Sequence, residues 1–66
     1  MAGNTRGKLK EHFEGIHRNL DWVLYHCQAS LKLIADKNPA LTKAVNTLAK
    51  GIDVIDKTVQ KLYSRL

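Results

Sequence analysis

A single proline, Pro39, divides the chain, and on each side of it apolar residues recur at alternating steps of four and three. This is the spacing of helices that pack lengthwise against a neighbour, so both segments are predicted to be amphipathic helices. The first repeat, in which only the serine is polar, comprises Leu9, Phe13, Ile16, Leu20, Val23, Cys27, Ser30 and Ile34. The second comprises Leu41, Val45, Leu48, Ile52, Ile55, Val59, Leu62 and Leu66. We call these two repeats the predicted seam.

The turn between the helices is predicted at Lys37 and Asn38. Asparagine is a preferred N-cap, proline suits the first position of a helix, and the residue before a proline avoids the α region. We therefore expect helix 1 over about 8–36 and helix 2 over about 39–65. Together they form one domain, 8–66, preceded by a flexible basic arm at 1–7.

The two repeats mirror each other about residues 37 and 38, so every seam position of helix 1 has an antiparallel counterpart in helix 2. The symmetry of the repeats and the turn signal at their centre agree. They predict an all-α fold, an antiparallel two-helix hairpin of the coiled-coil type. The alternative is one long helix that is merely kinked at Pro39.

A chain of 66 residues with one cysteine, Cys27, cannot form an internal disulfide. Chains of this size usually need disulfides, a metal or a partner subunit, because the surface they bury offsets little more than their ordering entropy. We expect the hairpin to self-associate, most simply as a homodimer that forms a four-helix bundle.

A second apolar stripe lies opposite the seam of helix 1 when residues are placed 100° apart around the helix. Its members are Trp22, Tyr25, Ala29 and Leu33. Aromatic anchors around a small residue are typical of interface centres. The stripe is interpreted either as the core of the homodimer or as a surface that binds a protein partner.

The chain is basic, with 11 Lys and Arg against 6 Asp and Glu. Five of the basic residues form a ridge on the side of helix 2 away from its seam: Lys43, Lys50, Lys57, Lys61 and Arg65. Arg6, Lys8 and Lys10 make the N-terminal arm basic as well. Such a ridge is suited to tracking phosphates, although the outer face of any soluble hairpin is charged. It lacks interleaved aromatic residues for stacking on bases.

Little in the sequence predicts catalysis. Cys27 is expected to be a packed, inert thiol on the seam, and His12, His17 and His26 are expected to be solvated. The spacing of Glu14 and His17 matches the Glu-x-x-His of di-iron bundles, but Glu14 lies off the seam and helix 2 has no glutamate. We expect no catalytic residue, no metal, no cofactor and no small-molecule substrate.

No segment approaches the length of a membrane span, and the first eight residues lack the apolar core of a signal peptide. With its lone cysteine, the chain is expected to reside in the reducing cytoplasm. The favoured function is a non-catalytic adaptor or regulator that binds a protein partner through the stripe at Trp22. The alternative is a nucleic-acid-binding accessory protein that uses the ridge on helix 2 and the arm.

Overall fold

The structure, a computed structural model that describes residues 3–66, consists of two helices, α1 (Gly3–Ile34) and α2 (Pro39–Ser64). The helices pack antiparallel along their length, and the body they form measures 54 × 15 × 11 Å. A side-chain hydrogen bond joins His17 to Asp56, 39 residues further along the chain, across the contact. The predicted all-α hairpin is confirmed, and the alternative of one kinked helix is wrong.

The turn forms where the sequence places it, and both helix ends are satisfied locally. The Asn38 side chain accepts a hydrogen bond from the backbone N–H of Leu41 at 3.1 Å, and Pro39 occupies the first turn of α2. At the end of α1, Ala35 has φ of 49° and donates its N–H to the carbonyl of Leu31 at 2.9 Å. This is a left-handed helix cap of the kind that glycine usually provides.

The helix ends differ from the predicted ones by a few residues. Helix α1 begins at Gly3, so residues 3–7, predicted to form a flexible arm, are helical in the structure. Met1 and Ala2, the rest of that predicted arm, lie outside the described residues. Helix α1 ends at Ile34, two residues early, because Ala35 turns the chain out of the helix. Among the described residues, neither helix has a segment long and apolar enough to cross a membrane.

Ten of the sixteen predicted seam residues are buried or half-buried, and the other six lie exposed beside the contact between the helices. Cys27 and Val59 are buried, and eight more seam residues are half-buried. The six others are 37–54% exposed: Ile16, Val23, Leu41, Leu48, Ile55 and Leu62. The residue after each of these faces the partner helix instead, as His17 and Asp56 do. Each helix is therefore rotated away from the orientation that the seam predicts.

The rotation leaves the hairpin with very little enclosed core. In the described part of the chain, the buried apolar residues are Cys27, 5% exposed, and Val59, 8% exposed. Asp56 is equally buried, at 7%. Since two adjacent helices contact each other along one line only, the apolar residues on either side of that line stay open to solvent.

The left-handed cap at Ala35 generates a stability prediction. Replacing Ala35 by Gly should raise the free energy of unfolding by about 1 kcal/mol, because glycine adopts a positive φ without the steric penalty of a Cβ atom. Ala40→Gly, in the first turn of α2, is the matched control and should lower that free energy through its poorer helix propensity. Thermal melts followed by circular dichroism at one protein concentration measure both. Equal destabilisation by the two substitutions would contradict the prediction.

Candidate interaction surfaces

The four residues of the predicted stripe lie on one side of α1 together with His26. We call this set the aromatic surface: Trp22, Tyr25, His26, Ala29 and Leu33. Trp22 is 62% exposed, Tyr25 57% and Leu33 82%, whereas Ala29 is half-buried. The Trp22 and Tyr25 rings meet edge to face, with centroids 5.7 Å apart and planes at 85°. The structure thus brings the predicted residues together on one solvent-facing side of α1.

His26 belongs to this cluster, although the sequence analysis treated it as a solvated residue. Its ring centroid lies 5.4 Å from that of Tyr25 and 6.3 Å from that of Trp22. The spacing contained the signal, because residues three and four apart are neighbours on a helix surface. The three rings therefore contact one another and form one cluster on the surface of α1.

Two shallow grooves flank the rings and add charged groups to the aromatic surface. One, of about 490 Å³, is lined by Arg18 and Asp21 together with Trp22 and Tyr25. The other, of about 400 Å³, lies between Tyr25 and Leu33 and includes Lys32. An apolar centre with charged residues at its rim is the usual anatomy of a protein-binding surface.

The basic residues of α2 and the C-cap residue Arg65 lie on the solvent side, and we call them the lysine ridge: Lys43, Lys50, Lys57, Lys61 and Arg65. All five are exposed. Within residues 3–66 the only ion pair of a ridge residue joins Lys57 to Asp53 at 3.1 Å, and both side chains are more than half exposed. The ridge spans about 33 Å, since a helix rises 1.5 Å per residue.

The three basic residues near the N-terminus lie on the first turns of α1. Arg6 and Lys8 are exposed. Lys10 is half-buried, and its ammonium group lies 5.8 Å from the centre of the Tyr63 ring, a cation–π contact with the end of α2. Lys10 therefore belongs to the body of the hairpin.

The structure also contains a polar pair that the sequence analysis missed. His17 donates from Nδ1 to Oδ1 of Asp56 at 2.6 Å, and Gln60 donates to the other carboxylate oxygen at 2.9 Å. The second ring nitrogen of His17 lies 3.5 Å from a carboxylate oxygen of Asp21. The buried Asp56 carboxylate is thus satisfied on both of its oxygens.

These contacts shift the pKa values of both members of the pair. The hydrogen bond to Asp56 raises the pKa of His17 above 6.5, against the opposing effect of burial, and the charge of Asp21 adds to the increase. The hydrogen bond from His17 lowers the pKa of Asp56 below 3.8, and Gln60 adds to that effect. The pairing therefore favours the imidazolium form of His17 and the carboxylate form of Asp56 more than solvent alone does.

The same three side chains, His17, Asp21 and Asp56, are the one group in the described chain whose ligand atoms lie close enough together to surround a cation, within 4.8 Å of one another. A cation there competes with the proton that His17 shares with Asp56, and with the hydrogen bond from Gln60. The arrangement favours the imidazolium as counter-ion.

A neighbouring pair joins the last turn of α2 to α1. The Tyr63 hydroxyl donates to Glu14 at 2.8 Å, and this bond, followed by burial and the charge of Glu14, raises the pKa of Tyr63 above 10.0. The Glu14 carboxylate thus accepts a hydrogen bond that joins the two helices. A groove of about 400 Å³ runs between Glu14 and Tyr63 and reaches His17.

With this geometry established, comparison of the chain with models of protein families, with curated proteins and with solved structures finds no match.

The polar pair generates a prediction of pH-dependent stability. A raised His17 pKa stabilises the fold below about pH 6.5, and the effect is lost as the pH rises through the raised value. A lowered Asp56 pKa stabilises the fold above about pH 3.8, and that effect is lost as the pH falls. The contribution of the pair is thus largest between these limits and declines towards alkaline pH.

Asp56→Asn should therefore flatten the fall in unfolding free energy between about pH 6 and about pH 8.5, because it removes the main cause of the His17 shift. Asp53→Asn, an exposed acid one turn earlier on α2, is the matched control and should retain the wild-type slope. Chemical denaturation at both pH values measures the difference. Equal slopes for wild type and Asp56→Asn would rule out a contribution from the pair.

Proposed function

We propose that the chain is a non-catalytic interaction module, an adaptor or regulator that binds a protein partner through the aromatic surface. The observation that carries the proposal is the exposed ring cluster, in which Trp22, Tyr25 and His26 contact one another while most of the Trp22 and Tyr25 surface remains open to solvent. Tryptophan and tyrosine are the residues most often found as binding anchors, and burying them supplies much of the affinity of an interface.

The module acts as a homodimer that forms a four-helix bundle. Support comes from the near absence of enclosed apolar side chains in residues 3–66, where Cys27 and Val59 alone are buried. A second hairpin supplies the apolar surface that one hairpin lacks.

The partner that suits the aromatic surface is a protein segment with an apolar side chain for the ring cluster. Its charged groups would meet Arg18, Asp21 and Lys32 at the rim. Because the rim carries both signs, complementary charges set the orientation of the partner, and the rings provide the affinity.

Trp22→Ala should abolish partner binding, since loss of a central anchor costs on the order of 2 kcal/mol or more. Val54→Ala, which trims an equally exposed apolar residue on α2, is the control and should leave binding intact. Affinity capture from nuclease-treated extract identifies the partner. Titration with the purified partner then measures affinity directly, because Trp22 is the only tryptophan of the chain and its emission shifts on burial.

The second candidate function is binding of nucleic acid through the lysine ridge, with Arg6, Lys8 and Lys10 as auxiliary contacts. The observation that favours it is the exposure of all five ridge residues along one side of α2. Changing Lys43, Lys50 and Lys57 together to Glu should abolish this activity and leave partner capture through Trp22 unchanged. Phosphate binding weakens steeply with added salt, whereas docking on the aromatic surface does not.

A further inference from the structure

The six exposed residues of the predicted seam lie on one side of the hairpin, and we call them the uncharged face: Ile16, Val23, Leu41, Leu48, Ile55 and Leu62. On α1 these residues lie about 60° around the helix axis from the line of contact. The offset is opposite to the direction in which the helix winds from its N-terminus to its C-terminus. The same offset applies on α2, which runs in the opposite direction on the opposite side of the contact. The two rows consequently meet on one face and flank the groove between the helices.

The charges of the chain avoid this face. Between residues 9 and 62, the positions that border it on the outer side of each row contain no Lys, Arg, Asp or Glu: His12, Asn19, His26 and Leu33 on α1, and Ala44, Gly51 and Thr58 on α2. The opposite face carries the His17–Asp56 pair, the Glu14–Tyr63 pair and the Lys57–Asp53 pair. A solvated face of a soluble helix normally carries the charges. Here the charges lie on the opposite face and along the outer sides of the helices, whereas this face has apolar side chains.

We infer that the uncharged face is the surface through which two copies of the chain associate, leaving Trp22, Tyr25 and the lysine ridge of each copy on the outside. The inference specifies the contact of the proposed homodimer and does not depend on the partner proposed for Trp22. The occupant is a second copy because the exposed rows continue the same heptads as the contact within the hairpin. A two-fold axis through the face therefore brings four rows together as a bundle, two from α1 and two from α2.

The dimensions of the face agree with this occupant. The hairpin is 54 Å long and 15 Å wide. One whole side of it therefore projects about 800 Å², which is the upper limit of what this face can bury and equals the roughly 800 Å² that each partner buries in a standard-size protein complex. Each hairpin has a net charge of +5, and stacking the uncharged faces keeps the two sets of charges as far apart as a dimer allows.

Gly51 provides a second line of support. It lies in the interior of α2, where glycine is unfavourable compared with alanine. A Cβ added there meets nothing within 4 Å in the hairpin, so no contact inside one chain requires a glycine. Its place beside Leu48 and Ile55 on the uncharged face lets the backbone of a second hairpin approach closely.

The test compares two adjacent residues of α2 with similar side chains and similar exposure. Ile55, 50% exposed, lies on the uncharged face, and Val54, 63% exposed, points to the outside. Sedimentation equilibrium should give wild type and Val54→Glu twice the 7.4 kDa mass of the chain. Ile55→Glu should weaken the dimer on the order of 100-fold or more, because two unpaired carboxylates enter the interface.

A second variant keeps the test valid if Ile55→Glu also unfolds the chain. Gly51→Leu favours helix formation and has free space within one hairpin, but it collides with a second one. It should therefore lose the dimer mass and retain its helical circular dichroism. Gly15→Leu, at a helical glycine with equal free space on the outer side of α1, should remain dimeric.

Three results would overturn the inference. The first is a wild-type mass of 7.4 kDa at all concentrations up to about 1 mM. The second is that both Ile55→Glu and Gly51→Leu remain dimeric. The third is that Trp22→Ala dissociates the dimer while those two variants remain dimeric. The last result would place the self-contact on the aromatic surface. Failure of the partner proposal is distinct, since it appears as unchanged partner capture by Trp22→Ala, whatever the mass.

Discussion

Two helices side by side share a single line of contact, and most features of this molecule follow from that limit. A side chain on the line is covered by the opposite helix but remains open above and below it. Among the described residues, Cys27 and Val59 are the apolar residues most completely covered. The remaining apolar residues of the two repeats divide between the line and the face beside it, so a chain with enough apolar residues for a bundle folds into a hairpin with one uncovered side.

The His17–Asp56 pair lies on the other side of that line and constrains the hairpin in a way that apolar contacts do not. Apolar side chains tolerate a small slide of one helix past the other, whereas a 2.6 Å hydrogen bond to a buried carboxylate does not. Separating the pair leaves the Asp56 carboxylate without its main counter-ion, and Gln60 satisfies only one of its oxygens. Polar groups in this position can select register and orientation at some expense of stability.

The sequence predicted the hairpin, its turn and its outward-facing residues, because each depends on local chemistry or on periodicity. Asn38 and Pro39 mark a helix start whatever packs nearby, and a lysine at every seventh position of α2 faces one way in any helix. The rotation of the helices was not predictable in this way. A heptad repeat defines an apolar stripe about 100° wide, and a single partner helix covers only part of it. Periodicity alone does not say which part.

The polar contacts were missed for a related reason. His17 and Asp56 each follow a seam residue, and in one helix such a position looks like an ordinary solvated flank. Their pairing becomes visible only when both helices are rotated together, which places the two flanks opposite each other. The contacts of His26 could have been predicted, because its spacing from Trp22 and Tyr25 in the sequence places the three side chains next to one another on a helix. An imidazole is a flat ring that packs on aromatic neighbours.

Because Cys27 is buried, the rate at which its thiol is alkylated reports how often the two helices separate. The thiol is 5% exposed and the chain has no other, so a maleimide reagent can reach it only when the helices part. When reclosing is fast compared with alkylation, the labelling rate of the folded protein divided by that of the unfolded chain equals the fraction of time spent open. Anything that holds the helices together, including a second copy, must therefore slow the modification of an atom it never touches.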